Sequence, residues 1–339
     1  MSENTLEQIV SALRSCGASW YPQHGELRNI RVVGHTPKND HYIYDVVMDF
    51  AGASERLAAK VFRGNRHGLQ SPRSMAAQEL KNLRLVHEIC VRKKLSGVPR
   101  PLGDFSEAGA IVTEKLPGTP LQSIVMKAAL LPGYADRGTL GFAARSAGEW
   151  LRRFHKATAD MPEPFDAAAL LCELEKLCAG CKGEGLDDLS IRNILNGAKT
   201  ILARSRKALP SSAVLNDFTP LNAIVGESGV GFCEFGKMTR RGCSFHDVAQ
   251  FLASVEALEK YPFCDRAITA EVQESFLEAY GASAGEQQLL RVLRMKALLT
   301  MLVQGRNGKE SALRKKVMWA NVMKRFIQQA AERSLARAS

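Results

Sequence analysis

One stretch of the chain, from Asn216 to Gly236, gathers the side chains suited to moving a phosphoryl group. Asp217 stands five positions before Asn222, and Glu234 follows Asn222 by twelve. One carboxylate can accept or orient the proton of an attacking hydroxyl. An amide oxygen and a second carboxylate are hard oxygen ligands of the kind that hold Mg²⁺ against nucleotide phosphates. Such groups act together only if loops at the ends of short strands present them, and AVLND, NAIVGE and VGFCEF read as brief β-segments around these positions.

The elements that must position this chemistry fall into two kinds. MSENTLEQIVSALRSC is an amphipathic helix candidate. RNIRVVGH and HYIYDVVMDF then read as strands from their β-branched and aromatic content, with TPKND as the turn between them, and LAAKVF follows as a third strand. SMAAQELKNLRLVHEIC has helical apolar spacing, and VPRPLGDF and AIVTEKL supply two more strands. From LQSIV onward helices dominate; GFAARSAGEWLRRFHKAT is the clearest, and others are expected over 246–261, 268–281, 285–305 and 311–336. A β-rich front joined to a helix-rich remainder predicts an α+β chain of two lobes with a hinge near LPGTP. The expected divisions are a helical extension over 1–27, an N-lobe over 28–118 and a helical C-lobe over 119–339 that carries both polar loops and a basic terminal helix.

This order of residues resembles the aminoglycoside phosphotransferase and choline-kinase-like family, a branch of the protein-kinase-like fold. Its catalytic loop, H-G-D-x-x-x-x-N, is similar to LNDFTPLN, and its metal loop, a hydrophobic run ending in D-F/W-G, is similar to GFCEFG. The resemblance covers most of the chain. It implies a bilobal kinase-like fold with a small antiparallel N-lobe sheet, and ATP and Mg²⁺ as cofactors. Asp217 takes the catalytic place, and Asn222 and Glu234 the metal places. Lys60 of LAAKVF matches the phosphate-binding lysine, with Glu79 of AAQELKNL as its helix partner. Glu114 to Gly118 (EKLPG) looks like the hinge whose backbone reads adenine, which makes Glu114 and Leu116 nucleotide-binding positions. AGEWLRRFHKAT is similar to the helix before the catalytic loop, with Phe154-His155 where relatives often carry Leu-His, and Asp247 of FHDVAQFL matches the buried aspartate that braces that loop. The side chains at 60, 79, 217, 222 and 234 are then expected in one cleft. Two departures stand out. Leu215 and Asn216 occupy the His and Gly positions, and Glu234 replaces the metal-loop aspartate, carrying its carboxylate outward by about one methylene where Mg²⁺ demands near-octahedral geometry.

Charge bears on the acceptor. Lysine and arginine number 46 against 35 acidic residues, and the last forty positions supply +7 of the net +11. Residues 119–299 are neutral overall, and Lys237, Arg240 and Arg241 follow the metal loop. A polycationic aminoglycoside is therefore not expected; a neutral or anionic hydroxyl compound is, such as a sugar, nucleoside or glycolipid head group. The basic terminal helix, with Leu313, Val317, Met323 and Ile327 on one face, either packs on its lobe or makes peripheral contact with an anionic membrane. No nucleic-acid module is recognised. No stretch approaches the roughly 20 apolar residues of a membrane span, and the first residues lack a secretory apolar core, so a soluble cytoplasmic protein is expected. Eight scattered cysteines, including one C-x-x-C at Cys178 and Cys181 without a second pair, are expected to be free thiols. Two functions follow: an active ATP-dependent O-phosphotransferase, or a pseudokinase that binds nucleotide or a partner protein and serves as a regulator or scaffold.

Overall fold

The computed structural model describes residues 2–38, 40–64, 70–131, 137–182, 186–205, 208–227, 229–304 and 312–335. The chain divides into two compact units, one comprising Met1–Gly118 and Gly231–Met238, the other Thr119–Val230 and Thr239–Ser339. The metal-loop segment, assigned with the C-lobe from the sequence, thus belongs to the first unit. Side chains of the helix Pro72–Lys93 hold this segment and are the physical reason.

The first unit contains helix α1 (Ser2–Trp20), strands β1 (Leu27–Pro37), β2 (His41–Phe50) and β3 (Ser54–Phe62), helix α2 (Pro72–Lys93), and strands β4 (Pro101–Phe105) and β5 (Ala110–Glu114). The strands form one antiparallel sheet in the order β1-β2-β3-β5-β4. Because side chains alternate across a strand, the sheet sorts its residues cleanly. Val46, Met48, Leu57, Ala59, Val61 and Val112 form one core with Ile9 and Leu13 of α1. Burying each of the large aliphatic side chains contributes roughly 1.5–3 kcal/mol. Phe62 and Ile111 form a second cluster with Ala76 and Leu80 of α2. Helix α2 starts cleanly because Ser71 caps it, accepting from Ser74 N at 3.1 Å, and Pro72 opens its first turn.

The second unit holds β6 (Thr119–Pro120), α3 (Leu121–Leu130), α4 (Arg137–Ala157), β7 (Asp160–Pro164), α5 (Ala167–Cys181), α6 (Asp188–Leu202), β8 (Ala208–Val214) and β9 (Ala223–Gly226). The chain re-enters the first unit along β10 (Gly229–Phe232), then returns as β11 (Thr239–Cys243), α7 (Phe245–Glu256), α8 (Arg266–Tyr280), α9 (Ala284–Gln304) and α10 (Ala312–Leu335). Strands β11, β8 and β7 make a small antiparallel sheet. Helices α4 and α8 approach so closely that a Cβ on Gly148 would meet Phe276 O at 2.4 Å, so only glycine fits there. Around that crossing Phe154, Trp150, Phe218, Phe251 and Phe276 follow one another with ring centroids 3.9–5.8 Å apart between successive neighbours.

Helix α10 packs on its own unit. Trp319, Val322, Met323 and Phe326 are buried, whereas Val317 is 54% exposed. Arg325 bonds Glu259 at 2.8 Å, and Arg294 lies over the Phe326 ring. Of the two alternatives read from the sequence for this helix, these contacts support packing on its lobe. The Leu313 side chain lies outside the described residues. No helix among the described residues is long and apolar enough to cross a membrane. Cys178 and Cys181 are buried on α5 and are in no disulfide, and no cluster of three or more metal-ligating side chains occurs among the described residues.

Candidate active site

In the first unit the chemistry centres on Lys60. Its place on β3 puts it on the same face as Phe62, away from α1, and only 3% of it is exposed. An ammonium has three protons to donate, and all three are engaged. One goes to Glu79 Oε1 in an ion pair, one to Glu234 Oε2 at 2.9 Å and one to the carbonyl of Cys233 at 2.7 Å. Burial disfavours the charged lysine, but Glu234 and Glu79 outweigh it and raise its pKa well above the usual range. For Glu234, burial pushes the carboxyl up while Lys60 and His41 pull it down harder, leaving it ionised well below the ordinary glutamate range. Glu79 is pushed up by burial, against the opposing pull of Lys60.

Helix α2 presents Glu79 and Asn82 one turn apart on a buried face, and both hold the segment that carries Glu234. Asn82 Nδ2 donates to Phe235 O at 2.8 Å and to Met238 O at 3.2 Å, and Phe235 N donates to Glu79 Oε1 at 3.4 Å. Gly236 passes so near that a Cβ would stand 3.1 Å from Glu79 Oε2. The glycine of the E-F-G run thus permits the close approach of loop to helix. Asn82 is a positioning residue that the motif comparison missed; its helical spacing from Glu79 is the signal that points to it.

His41, also missed, is 4% exposed at the start of β2. Its partner in the ladder is Phe62, and that of Lys60 is Ile43, so strand alternation sets the imidazole and the ammonium on one face. Asp40 holds Nδ1 at 2.7 Å, while Nε2 faces Glu234 Oε1 at 3.5 Å, beyond hydrogen-bond length, and has no hydrogen-bond partner among the described residues. Burial lowers the imidazole pKa, but Asp40 and Glu234 together raise it overall.

The hinge residues differ in what they offer. The Glu114 side chain is taken by Arg100 (2.7 Å) and Tyr21 (3.2 Å), which leaves the main chain of this segment to meet a ligand. Leu116 packs near Gly231, where a Cβ would meet its Cδ1 at 2.9 Å.

In the second unit Asp217 and Asn222 lie on one loop. Asn222, 6% exposed, donates through Nδ2 to the Asp217 carbonyl at 3.2 Å, and Phe218 between them is fully buried in the aromatic stack. Asp247, at 0% exposure, braces the loop by accepting from Leu215 N and Asn216 N, each at 2.8 Å, and lies 3.1 Å from His155 Nε2. Asn216 adopts φ 59°, a left-handed conformation that Gly takes freely and Asn better than most side chains. That tolerance explains how Asn stands at the Gly position of the H-G-D-x-x-x-x-N pattern that this loop resembles. Its amide also donates to Thr239 Oγ1 at 3.3 Å. Arg241 lies 2.7 Å from Glu163 and 3.7 Å from Asp160, so these acids answer its charge locally.

The structure thus brings Lys60, Glu79 and Glu234 together in one unit, and Asp217, Asn222 and Asp247 in the other. Taken each within its own unit, the Asn222 amide oxygen and the Glu234 carboxylate are hard oxygen ligands of the kind Mg²⁺ takes.

No protein-family model matches the sequence, and no curated protein matches it. Solved structures do. Glucosamine kinase in complex with glucosamine, ADP and inorganic phosphate is similar over 92% of this chain and 96% of that one, with a TM-score of 0.54 at 15% identity. A thermostable mutant of aminoglycoside phosphotransferase APH(4)-Ia, in ternary complex with AMP-PNP and hygromycin B, is similar over 94% of this chain and 99% of that one, with a TM-score of 0.54 at 14% identity. An aminoglycoside phosphotransferase from Alicyclobacillus acidocaldarius subsp. acidocaldarius DSM 446 is similar over 93% and 95%, with a TM-score of 0.50 at 16% identity. The chain has the α+β, protein-kinase-like fold shared by glucosamine kinase and the aminoglycoside phosphotransferases, the fold that its two polar loops imply.

Proposed function

We propose that this chain is an ATP- and Mg²⁺-dependent O-phosphotransferase that acts on a hydroxyl group of a neutral or anionic small molecule. The observation that carries the reading is the buried Lys60 bound to both Glu79 and Glu234, an arrangement that holds a cation ready for phosphate. Lys60 binds nucleotide phosphate oxygens, Glu79 holds it in place, and the main chain of Glu114 to Leu116 receives adenine. Asn222 and Glu234 hold the metal, which draws charge from the transferring phosphoryl group when bound. Asp217 orients the acceptor hydroxyl and takes its proton. The acceptor oxygen forms a bond to the γ-phosphorus, the bond from that phosphorus to the bridging oxygen of ADP breaks, and ADP leaves with the electron pair. Asp247 acts through the loop backbone as a positioning residue. The nucleotides in the glucosamine kinase and APH(4)-Ia complexes support a nucleotide ligand, and glucosamine supports a sugar-like acceptor. The neutrality of residues 119–299 favours an acceptor that is not a polycation.

The decisive experiment pairs thermal shift with turnover. ATP is expected to raise the melting temperature more with Mg²⁺ than without it, and a panel of hydroxylated metabolites is expected to contain one that accepts phosphate. Asp217→Ala should retain the melting temperature and lose transfer by several orders of magnitude. Full turnover in that variant removes Asp217 from its role. One observation favours the second reading, a nucleotide-binding regulator: all three protons of Lys60 are already engaged by the protein. Metal-independent ATP binding without transfer to any acceptor would select it.

A further inference from the structure

We propose that His41 is a second phosphate-binding residue, its Nε2 taking an oxygen of the terminal phosphates of the nucleotide beside Lys60. The inference rests on the phosphotransferase reading and adds a residue that the family pattern does not supply. Three observations carry it.

The imidazole is built in place. Asp40 accepts from Nδ1 at 2.7 Å, and with a second carboxylate, that of Glu234, 3.5 Å from Nε2, the ring is placed to carry a proton on both nitrogens, which makes the outward-facing Nε2 a donor. The turn behind it is tied down as well: Lys38 N donates to His41 O at 2.9 Å, and Arg63 N donates to Asp40 O at 2.7 Å. The Arg63 guanidinium donates to Lys38 O and stacks over the Tyr42 ring. A side chain held this firmly has lost its rotational freedom before any ligand arrives, so binding costs less ordering entropy.

Its nitrogen also lacks a hydrogen bond, and its ion-pair contact with Glu234 is long at 3.5 Å. Nε2 of a residue only 4% exposed has no hydrogen-bond partner among the described residues, and buried polar atoms are seldom left so unless a ligand or water completes them.

Finally, it is aimed at the same place as Lys60. The two oxygens of Glu234 stand 2.9 Å from Lys60 Nζ and 3.5 Å from His41 Nε2, so one carboxylate occupies the gap between the two nitrogens. A phosphate oxygen that takes the place of that carboxylate meets both. Two neighbouring donors on a common anionic group discriminate by its charge, so the pair selects for the outer phosphates and is indifferent to adenosine.

The test is a ligand series read by calorimetry on the full chain: ATP, ADP, AMP and adenosine, each against wild type, His41→Phe and His41→Asn. Phenylalanine keeps the ring that packs against Phe62, at a centroid distance of 5.5 Å, and removes the nitrogens. Asparagine is smaller but keeps a polar donor. Melting temperatures report whether each variant folds. A hydrogen bond to a charged group predicts an ATP affinity about 10- to 100-fold weaker in His41→Phe, with AMP and adenosine affinities unchanged and partial recovery in His41→Asn. ATP binding at the wild-type level in a folded His41→Phe overturns the assignment. So does an equal loss across ATP, AMP and adenosine, which would mark His41 as merely structural. Wild-type protein that binds no nucleotide at all refutes the phosphotransferase reading and the assignment with it, an outcome distinct from the other two.

Discussion

Replacing Lys60 with methionine strands two carboxylates. The side chains of Lys60, Glu79 and Glu234 are 4%, 3% and 12% exposed, so water cannot substitute for the lost ammonium. Removing one partner of a buried ion pair costs about 3–5 kcal/mol, because the charge left behind is uncompensated. With a urea m-value near 2 kcal/mol per molar, the midpoint of the first unit's transition falls by about 1.5–2.5 M. A variant that combines Lys60→Met with Glu79→Gln and Glu234→Gln removes the stranded charges and keeps an amide oxygen on α2 as acceptor for Phe235 N, so it should regain most of the loss. The pH dependence has a definite sign. In wild type the Glu234 carboxyl is held below its ordinary pKa, so its stabilising contribution is complete above the ordinary glutamate range and disappears as pH falls through the depressed value. In Lys60→Met the largest opposing pull is gone and burial meets only the weaker pull of His41, so the carboxyl pKa values rise relative to wild type and the stability gap between the two proteins narrows as the buffer is taken from mildly alkaline to mildly acid. A loss under about 1 kcal/mol, the range of exposed pairs, or a gap that does not change with pH, would refute the reasoning.

Two further substitutions test the scaffolding. Asn82→Ala removes both hydrogen bonds from α2 to Phe235 O and Met238 O, although Phe235 O keeps Met238 N at 3.1 Å, so the two lost bonds together should cost about 1–3 kcal/mol by denaturant titration. Asn216→Gly should be nearly neutral, because φ 59° suits glycine, whereas Asn216→Val should lose at least about 1–2 kcal/mol to left-handed strain. Melting curves that rank these two the other way would contradict the conformation assigned to that residue.

Much of this arrangement was legible in the residues alone. The β-branched runs around TPKND folded as β1 and β2, and the apolar spacing of SMAAQELKNLRLVHEIC folded as α2. Lys60 and Glu79 were legible through the resemblance to the kinase-like pattern, which pairs a lysine on the third strand with a glutamate on the following helix, and the structure joins them in an ion pair. DMPEP and TRRGC were not legible as β7 and β11, since neither alternates apolar and polar residues and their pairing depends on β8 between them. His41 was not singled out either. Its significance depends on register, which strand periodicity alone does not reveal until β2 and β3 are paired. Arg241, which the sequence groups with Lys237 and Arg240, is a similar case: the acids that answer its charge lie on β7, far away along the chain.

The first unit is assembled from two separated pieces of chain, and this has a consequence for how the protein is made. Glu79 lies 19 positions beyond Lys60, so the ribosome delivers the two nearly together, but Glu234 comes 174 positions after Lys60. At roughly 5–20 residues per second that interval lasts on the order of 10–35 s. Throughout it, the nascent sheet must hold its lysine with one carboxylate and no loop beneath Asn82. Translation past residue 238 is thus the event that completes the amino-terminal half.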